Sequence, residues 1–263
     1  MGSATRKALA GTHAALTSLG RAELRVAEDL LAAGRIIGSS KQLRTALTDS
    51  EADAAQKRAL VEAVFGSKLA ADSVTLLTDL ASSHWSDSRD LLEGIEELGL
   101  RVASESARDV PIDAELFAIQ RAVASDAELE LALGSKLNPT ESKVQVVDKL
   151  LAGNASPQTV AIVNHLVQQP RGRRIGELLR HAAAVVAEQR GFEIATVTTA
   201  TPLSSEQLDR LVRGLEAQYD RALRVNTIVD PAVLGGVRVQ IGDDVIDGSV
   251  ASRLSSLRQK LAG

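Results

Sequence analysis

Side chains that could hold a metal ion or transfer a proton are scattered along this sequence. The four histidines are His13, His84, His165 and His181, and no two of them stand four residues apart beside a glutamate. A zinc site needs ligands that converge on one point, and such helical spacing is a common way to bring them together. We therefore expect hydrogen-bonded or solvent-facing structural histidines and no metal site.

Residues 34–41 contain the glycines and the lysine of a nucleotide phosphate-binding loop, but at the wrong spacing. Three residues separate Gly34 from Gly38 where the loop requires four, and a helical pattern stands where a strand is required. The Gly-x-Ser-x-Gly pattern of a serine nucleophile elbow is absent as well. These patterns indicate neither nucleotide hydrolysis nor a serine hydrolase.

Two further segments could meet an anion. Residues 171–174, with the sequence RGRR, form the one concentrated basic run, but a short run between helices is more often a solvated loop. Gly235 and Gly236 could approach a phosphate, but a strand follows them, so the helix N-terminus that binds anions is missing. We favour a solvated loop for the first segment and a bulge or sharp turn for the second.

The overall composition favours packed helices. Of the 263 residues, 44% are hydrophobic but only 2% are aromatic, so alanine, leucine and valine must fill the core. Such a core suits close-packed helices better than aromatic-rich strands. A chain of this length can bury a substantial core and hold about one to three domains.

Charge, cysteine content and hydropathy exclude further classes of protein. With a net charge of −4, the chain lacks the excess of positive charge that would attract nucleic acid or an anionic lipid surface. The absence of cysteine excludes a disulfide framework, an iron–sulfur site and cysteine catalysis, and it fits a reducing cytoplasm. No window approaches about 18 uninterrupted apolar residues, so we expect no membrane span, and the N-terminus lacks a signal-peptide pattern.

Apolar residues recur at helical spacing from residue 6 to residue 108. The last stripe of this region consists of Leu91, Ile95, Leu98 and Val102. Breaks in the pattern near glycine and serine residues divide the region into about six short helices, the number of a compact bundle. Pro111 marks a junction, because proline disfavours helix in the residue before it. We predict an N-terminal helical bundle over residues 1–108.

The next segment repeats the first after 86 positions. Without a gap, this offset pairs apolar residues with apolar residues and turns with turns, as in Leu47 with Leu133 and Leu80 with Leu166. A period this long predicts tandem domains rather than a solenoid, which would need more copies. We expect a second helical repeat over residues 109–190 that superposes on the first.

After Gly191 the apolar spacing changes from helical to alternating. A strand pattern over residues 192–198 leads to the capping box of Ser204 and Gln207 and then to a helical stripe. Three strand patterns follow, at Val225–Val229, at Val237–Ile241 and at Val245-Ile246, before a closing amphipathic helix. In the second of them Val237, Val239 and Ile241 alternate with polar residues, so we expect these three to face the helices of the domain. The fold class is therefore mainly α, with a small α/β domain over residues 191–263 that combines a mixed sheet and two helices.

The most specific pattern lies at the end of this domain. Residues 230–249 read D-P-x-x-L-G-G-x-x-V-x-I-G-D-x-V-I-D-G-S, which resembles the C-terminal signature of the delta subunit of F-type ATP synthase. The mitochondrial counterpart in that family is the oligomycin-sensitivity-conferring protein. The extra helical repeat makes the chain similar to the longer delta subunits of actinobacteria. The signature residues are Asp230, Pro231, Leu234, Gly235, Gly236, Gly242, Asp243, Asp247, Gly248 and Ser249.

The resemblance implies a non-catalytic stator subunit without a cofactor. In the family, the helical N-terminal domain receives the N-terminal helices of the alpha subunits, and the C-terminal domain holds the C-terminal helix of subunit b. One copy per enzyme is expected, peripheral on the cytoplasmic face of the cell membrane and without contact to nucleic acid. The residues expected to line the subunit b contact are Val250, Leu254, Leu257 and Leu261.

The role of the second repeat and two other classes of function stay open. The short members of the family are expected to have no counterpart of residues 110–190. A helical adaptor of another multi-subunit complex would share the bundles, but it has no reason to carry the signature. A small-molecule enzyme would need convergent polar residues, and the sequence offers none.

Overall fold

The computed structural model describes residues 22–233 and 235–248, together with Thr5, Ala8, Ala10, Gly11, Leu16 and Gly20. Contacts divide the chain into two compact units, Met1–Val186 and Ala187–Gly263. The described residues of the first unit are helical, and those of the second form a small sheet with a helix. The mainly α fold with a small α/β domain is confirmed. The finer division at residues 108 and 109 stays a prediction.

The described part of the first helical copy contains five complete helices. They are α1 (Leu24–Ser39), α2 (Lys41–Thr48), α3 (Ala54–Phe65), α4 (Ala71–Ser82) and α5 (Ser88–Ser106). Thr5, Ala8 and Leu16 are also helical and buried, ahead of α1. Local capping sets some of these bounds: Asp53 and Gln56 form a reciprocal capping box at the start of α3.

The second copy reproduces this order of helices. It consists of α6 (Ile112–Ser125), α7 (Ala127–Gly134), α8 (Thr140–Leu151), α9 (Pro157–Gln168) and α10 (Ile175–Gln189). The bounds of α7, α8 and α9 each lie 86 positions after those of α2, α3 and α4. Leu80 and Leu166 therefore occupy matching positions in matching helices, as the repeat predicts, and both are buried.

The two copies also share a buried hydrogen-bonding arrangement. The carboxylate of Asp29 on α1 accepts a hydrogen bond from the backbone N–H of Ala70, which precedes α4, at 2.8 Å. Its counterpart Glu115 on α6 accepts from the backbone N–H of Ser156, which precedes α9, at 3.0 Å. Each carboxylate also accepts from a first-turn hydroxyl, Ser73 at 2.8 Å and Thr159 at 2.5 Å. Both acids thus satisfy donors at a helix N-terminus, where negative charge is favourable.

Helix α5 lies in the interior of the helical unit. It packs against α1, and α9 of the second copy contacts both α1 and α5. The close approach of α1 and α5 depends on glycine, because a Cβ at Gly99 would lie 2.6 Å from Leu31 Cδ2. The buried residues cover every side of the helix: Leu91, Leu92, Gly94, Ile95, Glu96, Leu98, Gly99, Leu100, Arg101, Val102, Ala103 and Ser104.

The α/β unit is built on a four-stranded mixed sheet within the described residues. Its elements are β1 (Glu193–Thr199), α11 (Ser205–Tyr219), β2 (Leu223–Val229), β3 (Val237–Ile241) and β4 (Asp244–Asp247). The strand order is β2-β1-β3-β4, with β1 and β2 parallel and the other two pairs antiparallel. Helix α11 begins at the predicted capping box of Ser204 and Gln207. The expected closing helix lies outside the described residues.

The alternation of β3 produces the core of this unit. Val239 and Ile241 are 3% and 4% exposed, whereas Arg238 and Gln240 face solvent. The buried side chains pack with Leu215 of α11, with Val197 of β1 and with other apolar residues of the sheet. The predicted inward face of β3 is confirmed on the side of α11.

Candidate partner-binding surfaces

The Asp230-Pro231 end of the signature carries the chain across the sheet. Because β1 lies between β2 and β3, the connection from β2 to β3 must pass the end of β1. The backbone N–H of Asp230 donates to the carbonyl of Thr199, the last residue of β1, at 2.9 Å. The Asp230 carboxylate then accepts from the backbone N–H of Ala232 at 2.9 Å, which forms an Asx turn.

The signature glycines occupy backbone positions that other residues adopt poorly. Gly235 and Gly236 have φ angles of +73° and +86°, and Gly242, between β3 and β4, has +54°. Only glycine takes these conformations without steric cost. Gly248 donates from its N–H to the carbonyl of Val237 at 3.0 Å, and a Cβ at Gly248 would lie only 3.1 Å from that oxygen. Gly235, Gly236 and Gly242 thus shape the backbone on either side of β3, and Gly248 packs closely against its first residue.

The other predicted site residues divide into described and undescribed positions. Asp243 lies in the exposed turn between β3 and β4, and Asp247 lies opposite Arg238 in the pairing of these strands. The remaining predicted residues lie outside the described residues: Leu234, Ser249, Val250, Leu254, Leu257 and Leu261.

The prediction of a solvated loop at residues 171–174 is wrong for two of the arginines. Arg171 Nη2 lies 2.7 Å from Glu96 Oε2, and Arg173 Nη2 lies 2.7 Å from Glu96 Oε1. Only 16% of the Arg171 side chain and 28% of the Arg173 side chain are exposed. The reason is the carboxylate of Glu96 on α5, which is 2% exposed and requires compensating charge. Arg174 is exposed, as expected of a loop residue.

His165 completes this cluster. Its Nδ1 lies 3.1 Å from Arg35 Nη1, and its Nε2 lies 3.3 Å from Glu96 Oε2. Since an arginine can only donate, Nδ1 accepts and the Nε2–H donates to the carboxylate, which assigns a neutral imidazole. Burial lowers the pKa of His165 against the opposing effect of Glu96. The prediction of a hydrogen-bonded structural histidine is confirmed for His165.

The other histidines contribute to no such cluster among the described residues. His84 and His181 are exposed, and His13 lies outside the described part of the chain. Across that part, no three His, Asp or Glu side chains are grouped in a way that could hold a metal ion. Gly34 and Gly38 lie inside α1, so the segment that faintly resembled a phosphate loop is helical.

His165 and the four charged residues around it form a junction between the two helical copies. Arg35 and Glu96 come from α1 and α5, whereas His165 comes from α9, and Arg171 and Arg173 come from the loop after it. Burial by itself raises the pKa of Glu96, but the hydrogen bond from His165 and the charges of Arg171 and Arg173 lower it to about 2. The junction therefore holds an ionised carboxylate in the interior of the helical unit.

The surface of the second copy carries an apolar groove. It encloses a volume of about 420 Å³ and is lined from α6 by Ala114, Ala118, Ile119 and Ala122, and from α8 by Leu150 and Leu151. Leu150 is 41% exposed. In the first copy, the positions that match Ala122 and Leu150 are Ile36, which is 44% exposed, and Val64, which is half-buried. Grooves with small and apolar walls suit an amphipathic partner helix.

No helix in the described part of the chain is long and apolar enough to cross a lipid bilayer.

The comparisons with known proteins identify one family. The family model described as "ATP synthase delta (OSCP) subunit" matches residues 100–261. The match begins inside α5 and runs through the whole second copy into the α/β unit. The expectation that the short members of the family lack a counterpart of residues 110–190 stays a prediction.

Several relatives match the entire chain. The "ATP synthase subunit delta" of Leifsonia xyli subsp. xyli is 54% identical, with all of both chains covered. The protein of that name from Streptomyces griseus subsp. griseus is 37% identical, again with both chains fully covered. A chain of the Toxoplasma gondii mitochondrial ATP synthase hexamer covers 64% of this chain at 21% identity, with a TM-score of 0.40 that is too low to support a conclusion.

The full-length relatives and the family match name the same subunit. The chain belongs to the ATP synthase delta (OSCP) subunit family and is a non-catalytic stator subunit of that membrane-associated enzyme.

Proposed function

We propose that this chain ties the catalytic head of ATP synthase to its peripheral stalk through two separate contacts. The N-terminal helices of the alpha subunits bind the helical unit, and the C-terminal helix of subunit b binds the α/β unit. One copy per enzyme acts at the cytoplasmic face of the cell membrane. A stator has to resist the torque of the rotor, and buried helix-in-groove contacts with charged rims provide such resistance.

The observation that carries the alpha contact is the apolar surface at matching places in both helical copies. Ile36 on α1 is 44% exposed although its neighbours Ala33, Gly34 and Ile37 on the same helix are buried. Its neighbour by helical spacing, Ala32, is half-buried and small, which would let a partner helix approach closely. We assign the alpha helix to the first copy, residues 1–108.

The subunit b contact is assigned to the C-terminal end of the chain. The apolar residues Val250, Leu254, Leu257 and Leu261 recur at helical spacing and would form one wall of a groove for an amphipathic helix. A helical adaptor of another complex is not favoured, because the chain shares its full length with delta subunits.

Two substitutions in the full chain, one in each helical copy, test the alpha contact. Ile36→Glu places a charge in the proposed groove of the first copy, and Leu150→Glu does the same at a partly exposed site of the second. Binding of a labelled alpha N-terminal peptide should weaken about tenfold or more in the first variant and change little in the second. If Leu150→Glu alone weakens binding, the alpha helix sits on the second copy and our assignment fails.

A truncation after Asp247 tests the subunit b contact. The shortened chain should lose binding of a subunit b C-terminal peptide and keep binding of the alpha peptide. Retention of both peptides would contradict the assignment of subunit b to residues 250–261. Circular dichroism of the truncated chain should retain the helical signal, which shows that the helical unit is still folded.

A further inference from the structure

Helix α7 and the turn that follows it each display one leucine to solvent. Leu131 is 68% exposed and Leu137 is 93% exposed. The turn between them is held by hydrogen bonds, since Ser135 donates from its N–H to the Leu131 carbonyl at 3.0 Å and Asn138 donates from its amide to the Ala132 carbonyl at 2.9 Å. Leu131 therefore lies in the last turns of α7, Leu137 lies in the hydrogen-bonded turn after it, and both are exposed.

The first helical copy shows that the fold does not need leucine at these places. The positions that match Leu131 and Leu137 are Thr45 and Glu51, although the helix bounds around them are the same. The inward residue of the helix is leucine in both copies, Leu47 and Leu133, and it is buried in both. The exposed leucines are thus a property of the second copy's surface, and large exposed apolar side chains close together in the sequence indicate a candidate interaction site.

The charges beside the leucines differ between the copies as well. Helix α2 carries Lys41 and Arg44, whereas α7 carries Glu128 and Glu130 and no basic residue. Glu130 replaces Arg44 at the matching position, and both glutamates are exposed. The same helix is therefore basic and polar in the first copy, and acidic and apolar in the second.

We propose that Glu128, Glu130, Leu131 and Leu137, the α7 tip, form a docking surface for a basic amphipathic helix of another subunit. The two leucines would bury against the apolar stripe of that helix, and the glutamates would pair with lysine or arginine residues that flank it. This contact lies beyond the proposed function, because neither the alpha assignment on the first copy nor the subunit b assignment involves α7. It requires only that the chain is part of the assembled enzyme.

A single introduced cysteine can report whether the α7 tip is covered in the enzyme, because the chain has none of its own. Leu137→Cys and the matched Glu51→Cys are each placed in the full chain and assembled into ATP synthase. The maleimide labelling rate of Leu137→Cys should fall about tenfold on assembly, since an interface core excludes solvent. Glu51→Cys should react at the same rate free and assembled.

Equal labelling rates of Leu137→Cys in the free and assembled chain would overturn the inference. If the enzyme assembles and couples normally in that case, the stator function stands while the docking surface does not.

The chemistry of the occupant is tested with synthetic helices. The probe is an amphipathic peptide with leucine on one face and lysine on its flanks, and the control has glutamate in place of lysine. The full chain should bind the lysine peptide, less tightly at high salt, and should not bind the glutamate peptide. The double variant Leu131→Thr, Leu137→Glu carries residues that the first copy already accepts, so it should fold and should bind about tenfold more weakly.

Equal binding of the lysine peptide by the native chain and the double variant, or binding of the glutamate peptide, would refute the proposal. Sedimentation of the free chain addresses the alternative occupant, a second copy of this chain. A dimer that the double variant abolishes would show that the leucines serve self-association, and the proposal would then be wrong.

Discussion

The carboxylate of Glu96 on α5 lies 2.7 Å from the guanidinium of Arg171, which follows α9 in the second helical copy. Arg171 reaches this position with a backbone φ of +49°, a left-handed conformation that a non-glycine residue adopts only at a cost of about 1–3 kcal/mol. The surrounding ion pairs must hold that conformation in place. The contact draws the Arg171 side chain into the interior, whereas Gly172 and Arg174 of the same loop stay exposed.

Replacement of Glu96 should destabilise the helical unit strongly. Glu96→Gln leaves Arg171 and Arg173 partly buried without their counter-charge, and loss of one partner of a buried ion pair costs about 3–5 kcal/mol. Glu28→Gln, at an exposed glutamate of α1, should change the free energy of unfolding by less than about 0.5 kcal/mol. Urea unfolding followed by circular dichroism measures both. Equal stability of the two variants would show that the junction contributes nothing.

The junction should make stability depend on pH in two windows. Burial lowers the pKa of His165, so the unfolded chain takes up this proton first and stability falls as the pH drops below about 6.5. The hydrogen bond from His165 and the charges of Arg171 and Arg173 lower the pKa of Glu96 from its ordinary value of 4.5 to about 2. Stability from Glu96 is therefore fully present above about pH 4.5 and is lost as the pH falls towards 2.

His165→Gln separates the two windows, because glutamine can still donate to Glu96 but does not titrate. Urea unfolding at a series of pH values should show a smaller loss of stability between about pH 6.5 and 5 in this variant than in the native chain. The loss below about pH 4.5 should remain. If the free energy of unfolding falls just as steeply between about pH 6.5 and 5 in the variant, His165 is not the cause of that loss of stability.

Two glycine substitutions, one where α1 and α5 approach closely and one at an open site, should change the free energy of unfolding in opposite directions. In Gly99→Ala the added methyl group would lie 2.6 Å from Leu31 Cδ2, and such overpacking costs about 1–3 kcal/mol. At Gly176 in α10 an added Cβ meets nothing within 4 Å, so Gly176→Ala should gain up to about 1 kcal/mol from helix propensity. Thermal unfolding ranks the two variants. A stabilised Gly99→Ala chain would contradict the close approach.

The core of the α/β unit can be tested at Val239. Val239→Asp buries an unpaired carboxylate beside Val197 and Leu215 and should unfold this unit. Gln240→Asp places the same side chain on the exposed face of β3 and should leave the unit folded. Hydrogen exchange of β1 and β3 amides is the readout. Protected amides in Val239→Asp would show that the predicted inward face is wrong.

Local patterns predicted much of this fold because the decisive interactions lie close in sequence. The capping box at Ser204 fixed the start of α11, and the alternation at Val239 fixed the inward face of β3. The 86-residue repeat predicted that the helices of the second copy match those of the first, as α7, α8 and α9 match α2, α3 and α4. Strand β2 begins two residues before the expected Val225, because pairing of Leu223 with Glu193 on β1 extends it.

The junction could not be predicted because its partners are distant in sequence. A basic loop is solvated unless a buried acid faces it, and nothing local reveals that Glu96, among the glutamates of α5, is the one that lies inside. The burial of α5 on every side could not be predicted either, because its apolar stripe indicated only one buried face. Its other buried sides arise because α2, α4 and α9 pack against it as well.

The burial of α5 on every side has a consequence for how the helical unit opens. A helix that supplies the interior of both copies cannot be exposed by the loosening of either copy alone. The two copies should therefore melt together in a single calorimetric transition, despite the tandem order of their sequences. In the native state, the amides of α5 should exchange with solvent only when the whole helical unit unfolds. The amides of the exposed turn before α8 should exchange much faster, through local opening.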